Sequence, residues 1–332
     1  MDEFGNFNGS PEKRKWISVT SEFQSLNGAY PEIKISLDAK GEPGAFAFFD
    51  IDGTLAHLSS IHGRAIAKLF PEQEPKELEA TYYRGFKLGN SFREFDRMRG
   101  IYTDGHTEWK DPEVYLKDRF IPHAKEIDEP GNLAHEIAAG ILKAYGEIAA
   151  QICDEIFEKN PEEFKKSNIA PIFKLAQMYG RLGIPMVGFT ANAKVLVEKL
   201  AKYLGLSDIF IDIATDETMA GGGKEIAIKH LMGVIESKGI RVPKDKLIFV
   251  GDSLRGDIGT GRGLGFKNKG ILVLKDKDEL IAIEEQINSD PELRKLADTI
   301  NIEGLTVEDV PLDDKGNPIL LSRFRKQFLK KL

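Results

Sequence analysis

Apolar residues follow two rhythms along this chain, and the places where the rhythm changes divide it. Ala45-Phe46-Ala47-Phe48-Phe49-Asp50-Ile51 is almost unbroken apolar sequence. It is too short for a helix of ordinary length and predicts a strand buried on both faces. From about residue 58 to 165 the pattern becomes helical between polar loops, most clearly over Leu133 to Phe157. Beyond about residue 168 the two rhythms alternate. Helices are expected over Ile172 to Leu182, Lys194 to Leu204 and Glu225 to Ser237. Strands are expected over Pro185 to Phe189, Ile209 to Ile213, Leu247 to Val250 and Ile271 to Leu274. Alternation of this kind predicts an α/β fold, a Rossmann-like doubly wound parallel sheet with helices on both faces.

The first strand belongs to that sheet, so the organisation is a core at 45–57 and 166–280 with a helical insertion at 58–165. Residues 1–44 are polar and rich in turn signals, with strand-like alternation only over Ile33 to Leu37, and are expected to be a loosely attached extension. Residues 281–332 form a C-terminal extension. Its tail, Arg323 to Lys331, is basic and amphipathic and reads as a docked or frayed terminal helix rather than a membrane anchor.

Composition narrows the function by exclusion. Of 332 residues, 41% are hydrophobic and 30% charged, as expected for a globular protein with a sizeable core. The net charge of -7 gives no electrostatic footprint for nucleic acid or an anionic membrane. Cys153 is the only cysteine, so no intramolecular disulfide forms. Residues 1–6 lack the basic start and apolar core of a secretory signal, and no long uncharged apolar stretch is present. A cytoplasmic enzyme is the expectation.

The chemistry gathers where predicted strands end. In open α/β sheets, ligands bind beyond the carboxyl ends of the strands. The first strand ends in Asp50-Ile51-Asp52-Gly53-Thr54. Side chains two apart in extended chain point the same way, so Asp50 and Asp52 can serve one site, one as nucleophile or metal ligand and the other moving a proton. A calcium loop of the EF-hand type is excluded, since Leu55 and Ile61 stand where Gly and Glu are needed. The strand at 185–189 ends at Thr190, whose hydroxyl can hold a phosphate oxygen beside helix amides or simply cap the helix. Lys224 opens a helix after Gly221-Gly222-Gly223, and the strand at 247–250 ends in Gly251-Asp252 with Asp257 close behind. Two more carboxylates there complete an oxygen-rich site suited to Mg²⁺.

These four signals, in this order on these strand ends, resemble the haloacid dehalogenase (HAD) superfamily over roughly residues 45–275. The resemblance implies Asp50 as a nucleophile forming an aspartyl-phosphate, and Asp52 as the acid and base that serves the leaving oxygen and then water. It implies Thr190 and Lys224 as phosphate-binding residues. Mg²⁺ would be held by the Asp50 carboxylate, the Asp52 backbone carbonyl and Asp252, with Asp257 in support. Asp52 also favours phosphate esters over carbon–halogen bonds, because an alkoxide leaving group needs a proton and a halide does not. The insertion is similar to the family's helical cap domains, whose closure excludes water, and capped members act mostly on small phosphorylated molecules. Phe48-Phe49-Asp50 with a helical cap resembles the phosphoserine phosphatase-like branch, which often has serine where Thr190 stands. The expectation is therefore a Mg²⁺-dependent phosphatase of a small-molecule phosphate monoester. Phosphotransfer through the same intermediate, or a binding protein on the same fold, are the alternatives.

Two further sets of residues are candidates for the pocket. Arg84, Arg93, Arg97 and Arg99 stand among aromatics in the insertion; they read first as a solvated helix face and second as a clamp for a substrate carboxylate or phosphate. His57 lies close enough after the first motif to line the pocket, but reads first as an ordinary surface or packing histidine. The six histidines show no zinc spacing, and the glycines at 259–265 fit no dinucleotide fingerprint.

Overall fold

In the computed structural model, which describes residues 14–69, 133–170, 172–219, 223–266, 268–274, 277–299 and 301–306, the apolar run forms the strand Phe46–Asp50 (β3). It follows a hairpin of Lys15–Thr20 (β1) and Glu32–Leu37 (β2). Five further strands join β3: Met186–Phe189 (β4), Ile213–Ala214 (β5), Leu247–Gly251 (β6), Asn268–Leu274 (β7) and Asn301–Thr306 (β8). Their order is β5-β4-β3-β6-β7-β8, with every pairing parallel. This is the doubly wound Rossmann-like sheet that the alternation predicts. The chain runs from β3 to β4 on one side and later to β6 on the other, which opens a crevice beyond the carboxyl end of β3.

Strand alternation divides the core. Ala47 and Phe49 enter one buried cluster, with the helices Ser59–Leu69 (α1), Leu133–Lys159 (α2), Phe173–Arg181 (α4) and Lys194–Leu204 (α5). Pro161–Asn168 (α3) continues from α2 and is capped by the Asn160 side chain, which accepts from the Glu163 N–H at 3.1 Å. Phe46 and Phe48 enter the opposite cluster, where Phe48 stacks on Phe249 with centroids 4.7 Å apart. The short helix Asp216–Met219 (α6) and the helix Lys224–Ser237 (α7) cover that face.

The structure differs from expectation at both ends. Residues 14–44 are not loosely attached. Val19, Ile33, Ile35 and Leu37 are buried in the same cluster as Phe46 and Phe48, and backbone bonds tie Glu22 to Ile211 and Ser36 to Gly183. The IKISL alternation does place one face inward, but its partner β1 contributes only Val19 as a fully buried residue and so gave no pattern of its own. At the other end, the sheet does not stop at Leu274. After Gly259–Gly263 (α8), Lys277–Ser289 (α9) and Pro291–Thr299 (α10), β8 pairs with β7 from Asn301 to Thr306. Glu303 and Gly304 interrupt the apolar run there, which hides an edge strand. The strand expected at 209–213 is reduced to β5, because Ile209 and Phe210 fold back onto a helical turn at Leu206.

α1 packs along α2, and these two helices bound the stretch 70–132. That stretch, with Arg84, Arg93, Arg97 and Arg99, lies outside the described residues, as do Gly221, Gly222 and the basic tail from Arg323. No helix among the described residues is long and apolar enough to cross a membrane.

Candidate active site

Strand register brings the chemistry-bearing residues together. Asp50 is the last residue of β3 and pairs laterally with Phe189 of β4, so Thr190 is the next residue out on that side. Across the other edge Phe49 pairs with Val250, which sets Gly251 and Asp252 beside Asp50. Asp257 returns to the same point through a single turn of π-helix over Leu254–Ile258, where its Oδ2 accepts from the Ser253 N–H at 2.8 Å. One oxygen from each of Asp50, Asp252 and Asp257 falls within 4.8 Å of the others.

Glycine makes this approach possible at two points. A Cβ on Gly251 would coincide with the Asp257 carboxylate, and one on Gly53 with Asp252 Oδ2. Gly53 also has φ 79°, in the left-handed region. Gly53→Ala is expected to lower stability by clearly more than Gly239→Ala, which has the same φ of 79° but open space around it. Backbone strain alone costs about 1–2 kcal/mol; urea denaturation of the two variants reads the collision as the difference between them.

Lys224 is the cation of the cluster. It is the first residue of α7, and Gly223 before it takes φ 73°. Its Nζ donates to Asp50 Oδ1 at 2.8 Å and to Asp257 Oδ1, and lies 5.0 Å from the centre of the Phe189 ring. Burial works against the ammonium, but Asp50 and Asp257 outweigh it and hold its pKa above the ordinary lysine range. Asp50 is 4% exposed, and burial pushes its carboxyl well above the usual range; Lys224 draws it back, while Asp257 and Asp252 push it further up. One ammonium here faces two carboxylates. Thr54 adds a hydroxyl donor to Asp50 Oδ2 at 3.3 Å.

Three carboxylates against one ammonium offer hard oxygen donors beyond the adjoining ends of β3 and β6, a set that fits a divalent cation of the Mg²⁺ type. Asp252 is the most accessible of the three. Thr190 is buried, with its Oγ1 accepting from the Asn192 backbone at 3.3 Å and side-chain amide at 3.0 Å. Both donors engage the oxygen, so the hydroxyl keeps its own proton to donate. Asp52 lies two residues beyond Asp50 and turns to His62, whose Nε2 is 2.8 Å from Asp52 Oδ2. Sequence reasoning singled out His57, which is half-buried and fixed through its backbone N–H to Asn168, and missed His62. The signal was available: His62 shares a helical stripe with Leu58, Ile61 and Ala65, and a polar residue on an otherwise apolar stripe needs partners. Cys153 is buried away from this chemistry in the α2 core, its thiol pushed up to about 12 chiefly by burial.

Residues 46–265 match the haloacid dehalogenase-like hydrolase family. The chain belongs to that family. No curated protein matches it. Among solved structures it is similar to the haloacid dehalogenase-like family protein SP0104 of Streptococcus pneumoniae, at 13% identity and TM-score 0.47, covering 82% of this chain and 97% of that one. It is similar to CbbY of Rhodobacter sphaeroides in complex with phosphate, at 20% identity and TM-score 0.40, covering 69% and 85%. It is also similar to YfnB of Bacillus subtilis bound to magnesium, at 16% identity and TM-score 0.42, covering 70% and 89%.

Proposed function

We propose that the protein is a phosphoric monoester hydrolase acting on a small phosphorylated molecule through an aspartyl-phosphate on Asp50. The observation that carries this reading is the Lys224 ammonium set between Asp50 and Asp257 at the carboxyl end of β3, with Asp52 two residues on. In water-poor surroundings a carboxylate approaches a phosphoryl group only when positive charge offsets the repulsion, and Lys224 supplies part of it.

The steps follow from the residues. Lys224 and the Thr190 hydroxyl hold phosphoryl oxygens while Asp50 attacks phosphorus and the ester oxygen departs. Asp52 gives that oxygen a proton, then takes one from the water that attacks the phosphoryl group, and Asp50 is regenerated. Mg²⁺ held by the carboxylates of Asp50, Asp252 and Asp257 and the Asp52 carbonyl would supply Lewis-acid neutralisation of the phosphoryl charge. The insertion at 58–165 serves as a cap, and an acidic chain without a disulfide suits a reducing cytoplasm.

Phosphate release from a panel of metabolite phosphates, with and without Mg²⁺, tests this reading. Release is expected to fall by about 100-fold or more on chelation, as loss of several kcal/mol of charge stabilisation implies. Transfer to an added alcohol in place of water would reassign the enzyme to phosphotransfer. No consumption of any phosphate ester by folded, Mg²⁺-loaded protein would overturn the proposal.

A further inference from the structure

The Asp52 carboxylate is bonded to a residue of the insertion, His62. His62, on α1, is fully buried, and both of its ring nitrogens are engaged. Nε2 meets Asp52 Oδ2 at 2.8 Å, and Nδ1 meets the hydroxyl of Tyr145 on α2, with the two rings stacked at 20° and centroids 5.7 Å apart. Tyr145 is itself only 3% exposed. The neighbours of His62 on its stripe, Leu58, Ile61 and Ala65, are apolar and buried, so packing alone would be served by a leucine. Burying an imidazole instead costs free energy unless both nitrogens find partners, and here the partners form a directed chain.

The direction follows from donor and acceptor roles. A carboxylate only accepts, so Nε2 is the donor toward Asp52 Oδ2, and Nδ1 is left to accept from the Tyr145 hydroxyl. Asp52 is partly exposed, with 28% of its side chain accessible, and a carboxylate at such a position samples several rotamers unless held. Both proton transfers assigned to Asp52 require the same oxygen placement, first toward the leaving oxygen and then toward water.

We propose that Tyr145 and His62 are positioning residues for Asp52: the tyrosine fixes the histidine tautomer, and the histidine fixes the carboxyl orientation needed for proton transfer. This rests on the phosphatase reading above. Because α1 and α2 are the two stems of the insertion, the acid is tied to the insertion as well as to the sheet.

The test separates proton donation from the rest of the chemistry. A p-nitrophenolate leaves without a proton, whereas the alkoxide of glycerol 1-phosphate needs one. First-turnover alcohol release is measured for both esters with Mg²⁺, in wild type, Tyr145→Phe, His62→Leu and His62→Gln. With glycerol 1-phosphate, His62→Leu is expected to slow release by about 100-fold and Tyr145→Phe by about 10-fold, within the range of general-acid effects. KM should hold, His62→Gln should recover part of the loss, and p-nitrophenyl phosphate should change by no more than about threefold. Nitrogen-15 NMR of His62 supplies a readout independent of turnover: the Nε2–H tautomer in wild type, lost or mixed in Tyr145→Phe. Equal losses on both esters, no loss on either, or an Nδ1–H tautomer in wild type would overturn the relay. Wild-type protein inert toward both esters and toward the whole panel of metabolite phosphates would instead overturn the phosphatase reading, and the catalytic part of the relay with it.

Discussion

Asp50→Asn is expected to hydrolyse phosphate monoesters more slowly than the wild type by a factor of about 10⁴ or more while remaining folded. The size of the effect comes from the role: removing a covalent nucleophile typically costs most of an enzyme's acceleration, and a carboxamide is a poor substitute at the same position. The intact fold comes from the environment. Asp50 is buried, and burial holds its carboxyl well above the usual range, so a neutral amide of the same shape relieves a cost rather than creating one. Lys224 keeps Asp257 as its partner in the variant. Urea denaturation should therefore place the variant within about 1 kcal/mol of wild type, the range of changes that leave no buried charge unpaired. A variant that loses activity because it unfolds would not match this expectation.

Lys224→Met is expected to lose both activity and stability, and the stability loss should depend on pH. The ammonium bridges Asp50 and Asp257, which are 6% and 0% exposed at the side chain. Removing one partner of a buried ion pair costs about 3–5 kcal/mol when the other charge stays ionised. Lys224 is about one-fifth exposed, so the lower end of that range applies. Asp50 can escape the penalty by protonating, because without Lys224 the influence that draws its carboxyl down is gone. The folded variant then binds more protons than the unfolded chain, so its stability falls as pH rises. The deficit against wild type should be smallest near pH 4 and grow through the carboxylate range to neutrality. Thermal denaturation of both proteins across that range reads the trend directly; a deficit that shrinks with rising pH would contradict the charge arrangement.

The sequence was most legible where physical constraints coincide. β3 had to read as a continuous apolar run because both its faces are covered, and helix α5 appeared with the bounds expected, Lys194 to Leu204. Asp50 and Asp252 were visible because each stands at a strand end, where parallel sheets leave side chains of several strands facing one crevice. Less legible were features that depend on pairing across long separations. β1 carries little apolar pattern and is defined by its register with β2; β8 is an edge strand interrupted by Glu303 and Gly304. The part played by His62 depends on α2, more than eighty residues away, delivering Tyr145 to its second nitrogen. A helical stripe announces that a buried histidine needs partners, but only tertiary packing names them.

The central claim is a covalent phosphoryl-enzyme on Asp50. Its most direct test is to quench the Mg²⁺-loaded protein during turnover of p-nitrophenyl phosphate, reduce with borohydride, and sequence the peptide spanning β3 by mass spectrometry. Reduction of an aspartyl-phosphate yields homoserine, so the account predicts homoserine at position 50 and unmodified aspartate at position 52. Sustained phosphate release with position 50 never modified, under conditions that trap a control acyl phosphate, would contradict it.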